Sequence, residues 1–274
     1  MTGNSGSDAR AGGVFIQPRV AAFERYARLA RAHGYGFEII ELADPTLDDL
    51  AARALTSTYR DLLRTSPDIP LTMHGPYIDL YVNSPDPFIR QASGRRIIDS
   101  LNYASELGVG RVIFHTNHLP CTTKPEYTVA WREENIAFWT RICGAWPGEI
   151  LLENMWDDTP DLLVSVIEGV GCDRFAACLD VGHANIFSPV GLTEWIAALA
   201  GSLRYVHVSD NHGVADDALP PGAGNIDWQA VSRALHANKA RTDVMLGIGL
   251  GGIDAVVAAD AYLQQEHVFP YGGR

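Results

Sequence analysis

The sequence predicts a single α/β barrel of the (β/α)8 class, and two patterns carry that prediction. Short apolar runs rich in β-branched residues alternate eight times with longer stretches of helical period, the pattern of parallel strands with covering helices. Metal-type polar residues then recur at the ends of these runs, where barrels gather their working side chains. A doubly wound open sheet is the competing arrangement, but its first strand normally leads into a glycine-rich phosphate loop. The segment IQPRVAAF has none.

In chain order the strand candidates are 13–17, 36–42, 70–76, 111–117, 149–155, 175–183, 204–210 and 243–250. Helices are expected near 19–34, 46–64, 88–107, 127–145, 160–170, 191–200, 226–238 and 252–265. Thr46, Thr159 and Asn225 are the expected N-caps, with Pro160 at a first helical position. Gly34, Gly108 and Gly171 fall where left-handed C-caps are needed. Residues 1–12, small and polar, read as a disordered tail, which leaves 13–274 as one barrel domain. That tail has no apolar core, so it reads as neither signal peptide nor membrane anchor.

Composition narrows the function classes. Apolar residues make up 47% of the 274 and charged residues 20%, a balance that supports a large core. No run reaches the roughly 18 apolar residues of a spanning helix. Four cysteines without CxxC spacing suggest no disulfide framework, and a reducing cytoplasm is the expected location. The net charge of −12 disfavours extended nucleic-acid binding. The partner to expect is a small-molecule substrate, with a homodimer compatible and a membrane role excluded.

The chemistry-bearing residues sit at strand ends. His74 follows LTM, His115 follows VIF and Glu153 follows ILL; Asp180 precedes His183 by three, and His207 precedes Asp210 by three. A lone histidine at a strand end is ordinarily a hydrogen-bonded structural residue. Five polar groups ending five consecutive buried runs are different, because consecutive barrel strands converge on one mouth and the ligand types of a divalent ion would meet there. Glu41, at the end of the second run, is a candidate base that would face the mouth. Glu38, three residues earlier, would then face the other side. Trp156 is a candidate stacking wall, and His212 lies in a loop just past a strand end.

At these residues the sequence resembles the xylose isomerase-like barrel superfamily, which holds sugar isomerases and epimerases together with apurinic endonucleases of the endonuclease IV type. The resemblance is carried by HGPYIDL (74–80), FHTNH (114–118), LLENMWD (151–157), CLDVGHANI (178–186), YVHVSDNHG (205–213) and PPGAGNIDW (220–228). It implies a divalent metal on Glu153, Asp180 and His207, with zinc or manganese expected and magnesium or cobalt as alternatives. The multi-metal branch implies further ligands at His74, His115 and His183. Its Asp-x-His pair is only half present, as Asp216 without the histidine. The eighth-strand glutamate of the family is replaced by Gly247.

The implied activity is isomerisation or epimerisation of a sugar, sugar phosphate or similar polyhydroxylated molecule. Glu153, His183 and Glu41 are the catalytic candidates, and His74, His115, Trp156, Asp210 and His212 the substrate-binding ones. Loss of the eighth-strand carboxylate keeps two alternatives open: a lyase or hydrolase needing one base, and a catalytically lapsed barrel acting as a binding protein. The endonuclease reading ranks lower because loops such as WDDTP and DNHGVADDALPP are acidic.

Overall fold

The computed structural model describes residues 11–238, 242–248 and 252–272. Eight parallel strands close in chain order: β1 (Val14–Ile16), β2 (Gly36–Ile39), β3 (Leu71–His74), β4 (Arg111–His115), β5 (Glu149–Glu153), β6 (Phe175–Asp180), β7 (Leu203–Val208) and β8 (Asp243–Leu246). Closure is made by β8 against β1, with Val14 opposite Val244 and Phe15 opposite Met245. The chain is a (β/α)8 barrel, as the alternation predicts.

Around the barrel lie α1 (Phe23–His33), α2 (Asp49–Leu63), α3 (Pro87–Leu107), α4 (Pro125–Ala145), α5 (Asp161–Val170), α6 (Val181–Phe187), α7 (Leu192–Ala198), α8 (Trp228–Ala237) and α9 (Gly252–Gln265). Gly34, Gly108 and Gly171 end α1, α3 and α5 with φ of 66°, 72° and 58°, a conformation that a Cβ would strain. The N-caps fall later than expected. Asp48 accepts from the Ala51 N–H at 2.8 Å, and Asp227 from the Ala230 N–H at 2.9 Å. Thr46 instead donates to Asp44, and Asn225 accepts from Asn185. At α5 the cap is Pro160 itself, with no side-chain bond, so Thr159 has no capping role.

Alternation divides the core in two. Phe15, Ile113, Leu151, Ala176, Cys178, Tyr205 and Met245 point inward and fill the barrel. Their neighbours on the strands, including Phe114, Leu152, Leu179 and Val206, point outward and bury the helices' apolar faces, with Trp131, Trp139 and Trp195 fully enclosed. Within the expected N-terminal tail, Ala11 already donates to the Pro270 carbonyl and Gly12 is buried. Residues 1–10 lie outside the described residues. Among the described residues, no helix is long and apolar enough to cross a membrane.

Candidate metal centre at the barrel mouth

The parallel register brings the strand ends level. His115 pairs with Glu153, and Asp180 pairs with His207. Each of these side chains shares the inward parity of its strand, so they meet in a cavity of about 270 Å³ at the C-terminal end of the barrel. Its walls include His74, His115, Glu153, Asp180, His183, His207, Asp216 and Gly247, together with Gln17, Tyr77, Met155 and Ser209. Asn154, facing outward from β5, donates to the Asp180 carbonyl at 3.0 Å and accepts the Asp180 N–H at 2.9 Å. This amide clamp extends the β5–β6 ladder and fixes Glu153 relative to Asp180.

The sixth strand is shorter than the sequence suggests. Asp180 ends β6 and caps α6, accepting the His183 N–H at 2.7 Å through Oδ1. The Asp-x-x-His spacing is thus one helical turn, which aims the other carboxylate oxygen of Asp180 and the His183 ring at the same space. His183 Nδ1 faces the Asn154 carbonyl at 3.0 Å, and its Nε2 lies 3.6 Å from Asp216.

Glu153 is the hub. His207 Nδ1 lies 2.9 Å from Oε1, whereas His74 Nε2 and His115 Nε2 stand 3.3 and 3.4 Å from Oε2. Neither of the latter contacts has hydrogen-bond geometry, so Oε2 is fully buried without a hydrogen-bond partner. His74 Nδ1 lies 2.7 Å from the Gly75 carbonyl. A carbonyl can only accept, so Nδ1 carries a hydrogen, and Nε2, the nitrogen left able to accept or to ligate, faces the Glu153 oxygen. Two acceptors this close in a dry site repel unless a proton or a cation stands between them.

Two sets of donor atoms lie within 4.8 Å of one another: His74, Glu153 and His207, and Glu153, Asp180 and His183. Imidazole and carboxylate donors suit zinc or manganese. The residues therefore fit a divalent ion, and the orphaned oxygen of Glu153 is the observation that supports the fit.

Electrostatics agree with this geometry. Burial works against the Glu153 carboxylate, but His207 and His115 outweigh it and hold it well below the ordinary carboxylate range. Burial also opposes the His183 imidazolium, yet Asp180, Asp216 and Glu153 together raise it to about 10. His115 is lowered to about 4 by burial, which Glu153 only partly offsets. Burial raises Asp180, with Glu153 adding to the rise. Carboxylates that cannot all be satisfied by protonated imidazoles form a site where an ion competes with protons.

Several expected residues stand elsewhere. The pair on the second strand is reversed. The strand stops at Ile39, and Glu41 enters a 3-10 turn where it accepts from the Val20 N–H at 2.9 Å and from the Tyr59 hydroxyl. Glu38 instead points into the barrel, wholly buried, with Oε2 3.1 Å from His207 Nε2. Asp210 is not aimed at the cavity. Its oxygens accept from Gly222 N–H, Asn211 N–H and the Trp228 indole at 2.8 to 2.9 Å, so it anchors the loop before α8. Trp156 is half-buried outside the cavity, where Met155 forms the wall, and His212 is exposed. Gly247 does line the mouth, and a Cβ built there would find nothing nearer than Met245 Cε at 3.4 Å. Glu38, Gln17, Tyr77 and Ser209 were missed. Glu38 had one signal, a carboxylate inside the apolar run GFEII.

The family described as Xylose isomerase-like TIM barrel matches residues 29–249. The chain belongs to this family. Among solved structures it is similar to the TTHB071 protein from Thermus thermophilus soaked with ZnCl2. That pair shares 26% identity and a TM-score of 0.72, over 90% of this chain and 96% of that one. A D-tagatose 3-epimerase-like protein matches at 22% identity and TM-score 0.72, over 92% and 95% of the two chains. The IolI protein with a bound zinc atom matches at 18% and 0.72, over 91% and 95%. At 22% and 18% identity these last two likenesses speak for the fold alone. The protein MJ1311 of Methanocaldococcus jannaschii is 26% identical over 183 residues, which cover 63% of this chain and 62% of the relative.

Proposed function

We propose that the protein is a metal-dependent isomerase or epimerase of an uncharged polyhydroxylated small molecule, with a divalent ion held by Glu153, Asp180 and His207. The observation that carries the reading is the buried, unpartnered Glu153 Oε2 facing the imidazole nitrogens of His74 and His115. His74 shares one ligand set with Glu153 and His207, His183 shares the other with Glu153 and Asp180, and His115 lies 3.4 Å from Glu153, so these histidines are the candidates for a second ion position. Zinc or manganese is the expected ion. The same reading is compatible with the descriptions of three similar structures: one soaked with ZnCl2, one holding a zinc atom and one called D-tagatose 3-epimerase-like.

When bound, the ion would supply Lewis-acid polarisation of a carbonyl beside the reacting C–H bond. The chain's own residues would do the rest. His183 Nε2, turned to the cavity beside Asp216, is placed to donate or take a proton. Tyr77, Ser209 and Gln17 offer hydrogen bonds to hydroxyl groups, and Met155 and Ile40 exclude water from one side. No lysine or arginine lines the described mouth, which favours an uncharged sugar over its phosphate. The same lack, with acidic Asp216 at the rim, disfavours a nucleic-acid backbone.

A second reading rests on Gly247. Because β8 brings no carboxylate to the mouth, a reaction needing a single base, such as a retro-aldol cleavage, dehydration or hydrolysis, fits the described residues as well. A panel of ketoses, aldoses and their phosphates, assayed in deuterium oxide with zinc or manganese, separates the two. Solvent deuterium in recovered or epimerised sugar supports the isomerase; cleavage products support the alternative; inertness toward the whole panel with metal bound supports a lapsed binding barrel. A Glu153→Ala protein that retains full metal content would overturn the metal reading itself.

A further inference from the structure

Glu38 is a wholly buried carboxylate in the barrel interior, outside both sets of candidate metal ligands. It lies on β2, paired with Thr72 of β3, and is 0% exposed. Its Oε2 meets His207 Nε2 at 3.1 Å and its Oε1 accepts from the Gln17 amide at 3.2 Å. Among the described residues it forms no ion pair with lysine or arginine, and it belongs to neither set of candidate ligands. A buried carboxylate with one imidazole and one amide for partners is more expensive than a leucine or methionine filling the same volume.

We propose that Glu38 is the positioning residue of the metal centre: it holds the hydrogen of His207 on Nε2 and so presents Nδ1 as the ligand atom. Both ring nitrogens of His207 face a carboxylate, so a hydrogen can stand on either, and an ion takes the place of the one on the nitrogen it meets. Nε2 faces Glu38, a carboxylate buried beneath the cavity, and Nδ1 faces Glu153 Oε1 at 2.9 Å and Asp180 Oδ2 at 3.8 Å. Nδ1 is thus the nitrogen beside the two carboxylates of the proposed ligand set. A hydrogen fixed on Nε2 leaves the Nδ1 lone pair for an ion, locks the ring plane and makes the ring more basic toward metal. Gln17, in turn, ties the free oxygen of Glu38 so that the carboxylate cannot rotate away. Glu38 also adds a negative charge beneath a mouth to which β8 and its following residue bring, among the described residues, the uncharged Met245 and Gly247.

The inference rests on the metal reading above, and its test is arranged to fail separately. Zinc is titrated calorimetrically into the full-length wild type, Glu38→Gln, Glu38→Ala and Glu153→Gln, and the imidazole nitrogens of the zinc-loaded wild type are read by 15N NMR. The expected result is affinity weakened about 10-fold in Glu38→Gln and up to about 100-fold in Glu38→Ala, binding abolished in Glu153→Gln, and His207 coordinated through Nδ1 with a slowly exchanging Nε2–H. A purely space-filling Glu38 would lower stability but leave zinc affinity unchanged. Wild-type affinity in Glu38→Gln and Glu38→Ala beside loss in Glu153→Gln would overturn the inference and leave the metal reading intact. Coordination through Nε2 would overturn it as well, without any variant having to fold. A wild type that binds no zinc would overturn both.

Discussion

The two ends of the barrel both bury charge, but they balance it differently. At the N-terminal end Arg111 bridges two carboxylates, reaching Glu149 at 2.5 Å and Asp243 at 2.9 Å, while Asp243 also accepts the Gly13 N–H at 2.8 Å. Burial opposes the Arg111 cation, but the two carboxylates hold its pKa above the ordinary value. At the C-terminal end Glu38, Glu153, Asp180 and Asp216 surround four imidazoles, with no arginine or lysine lining the cavity among the described residues, and Glu153 keeps an oxygen without a hydrogen bond. A fully answered network is what structure alone requires. An unanswered one at a barrel mouth marks the place reserved for something else.

If that contrast is right, the ends should respond oppositely to neutralisation. Arg111→Met strands two carboxylates and should cost about 3–5 kcal/mol of stability, read by urea unfolding, while the folded fraction binds zinc as before. Stability within about 1 kcal/mol of wild type would show that the lower network is not structural.

Asp157 sharpens the contrast because it is buried beside the mouth yet outside the metal set. Burial raises its carboxyl to about 6, although Thr116 and the Met155 N–H both donate to it. A carboxyl raised on folding favours the native state below its unfolded pKa and loses that advantage as pH climbs through the folded value. Between about pH 4 and 6 the wild type should therefore lose roughly 2–3 kcal/mol relative to Asp157→Asn, then run parallel to it above about pH 6. Unfolding curves across that window check the slope, and a pH-independent difference would contradict it.

Gly247→Glu adds a carboxylate to the unanswered end. The open space over Met245 admits the side chain, and zinc affinity should rise on the order of tenfold, ~1.4 kcal/mol. Unchanged affinity in the folded variant would mean that the glycine does not face the ion. The smallest effect is expected at Glu41. Its bonds to Val20 and Tyr59 lie outside the cavity, so Glu41→Gln should lower stability by about 1 kcal/mol and leave zinc affinity untouched.

Much of this was legible in the chain, for physical reasons. Strand parity and the polar ends of apolar runs located His74, His115, Glu153, Asp180 and His207 because these residues keep their strands' inward parity, even past the register shift at Ala177/Cys178. The second strand is not regular. Its parity is the reverse of the expected one, with Glu38 inward between the outward Phe37 and Ile39, and the chain leaves the sheet before Glu41. Asp210 looked like a ligand because it sits three residues beyond His207. Its bonds to Gly222 and Trp228 depend on a loop fold that no local spacing encodes. Two caps slipped by two residues, from Thr46 to Asp48 and from Asn225 to Asp227, where an aspartate nearer the first turn competed with the residue expected to cap it. The partnership of Glu38 with His207 spans 169 positions and becomes visible only when the barrel closes.

The most direct test of the central claim is anomalous diffraction at the zinc edge from crystals of the wild-type protein soaked in zinc. The account predicts a peak in the barrel mouth about 2.0–2.2 Å from a Glu153 oxygen, an Asp180 oxygen and His207 Nδ1. A mouth without a peak, while zinc decorates only surface histidines such as His212, would contradict it.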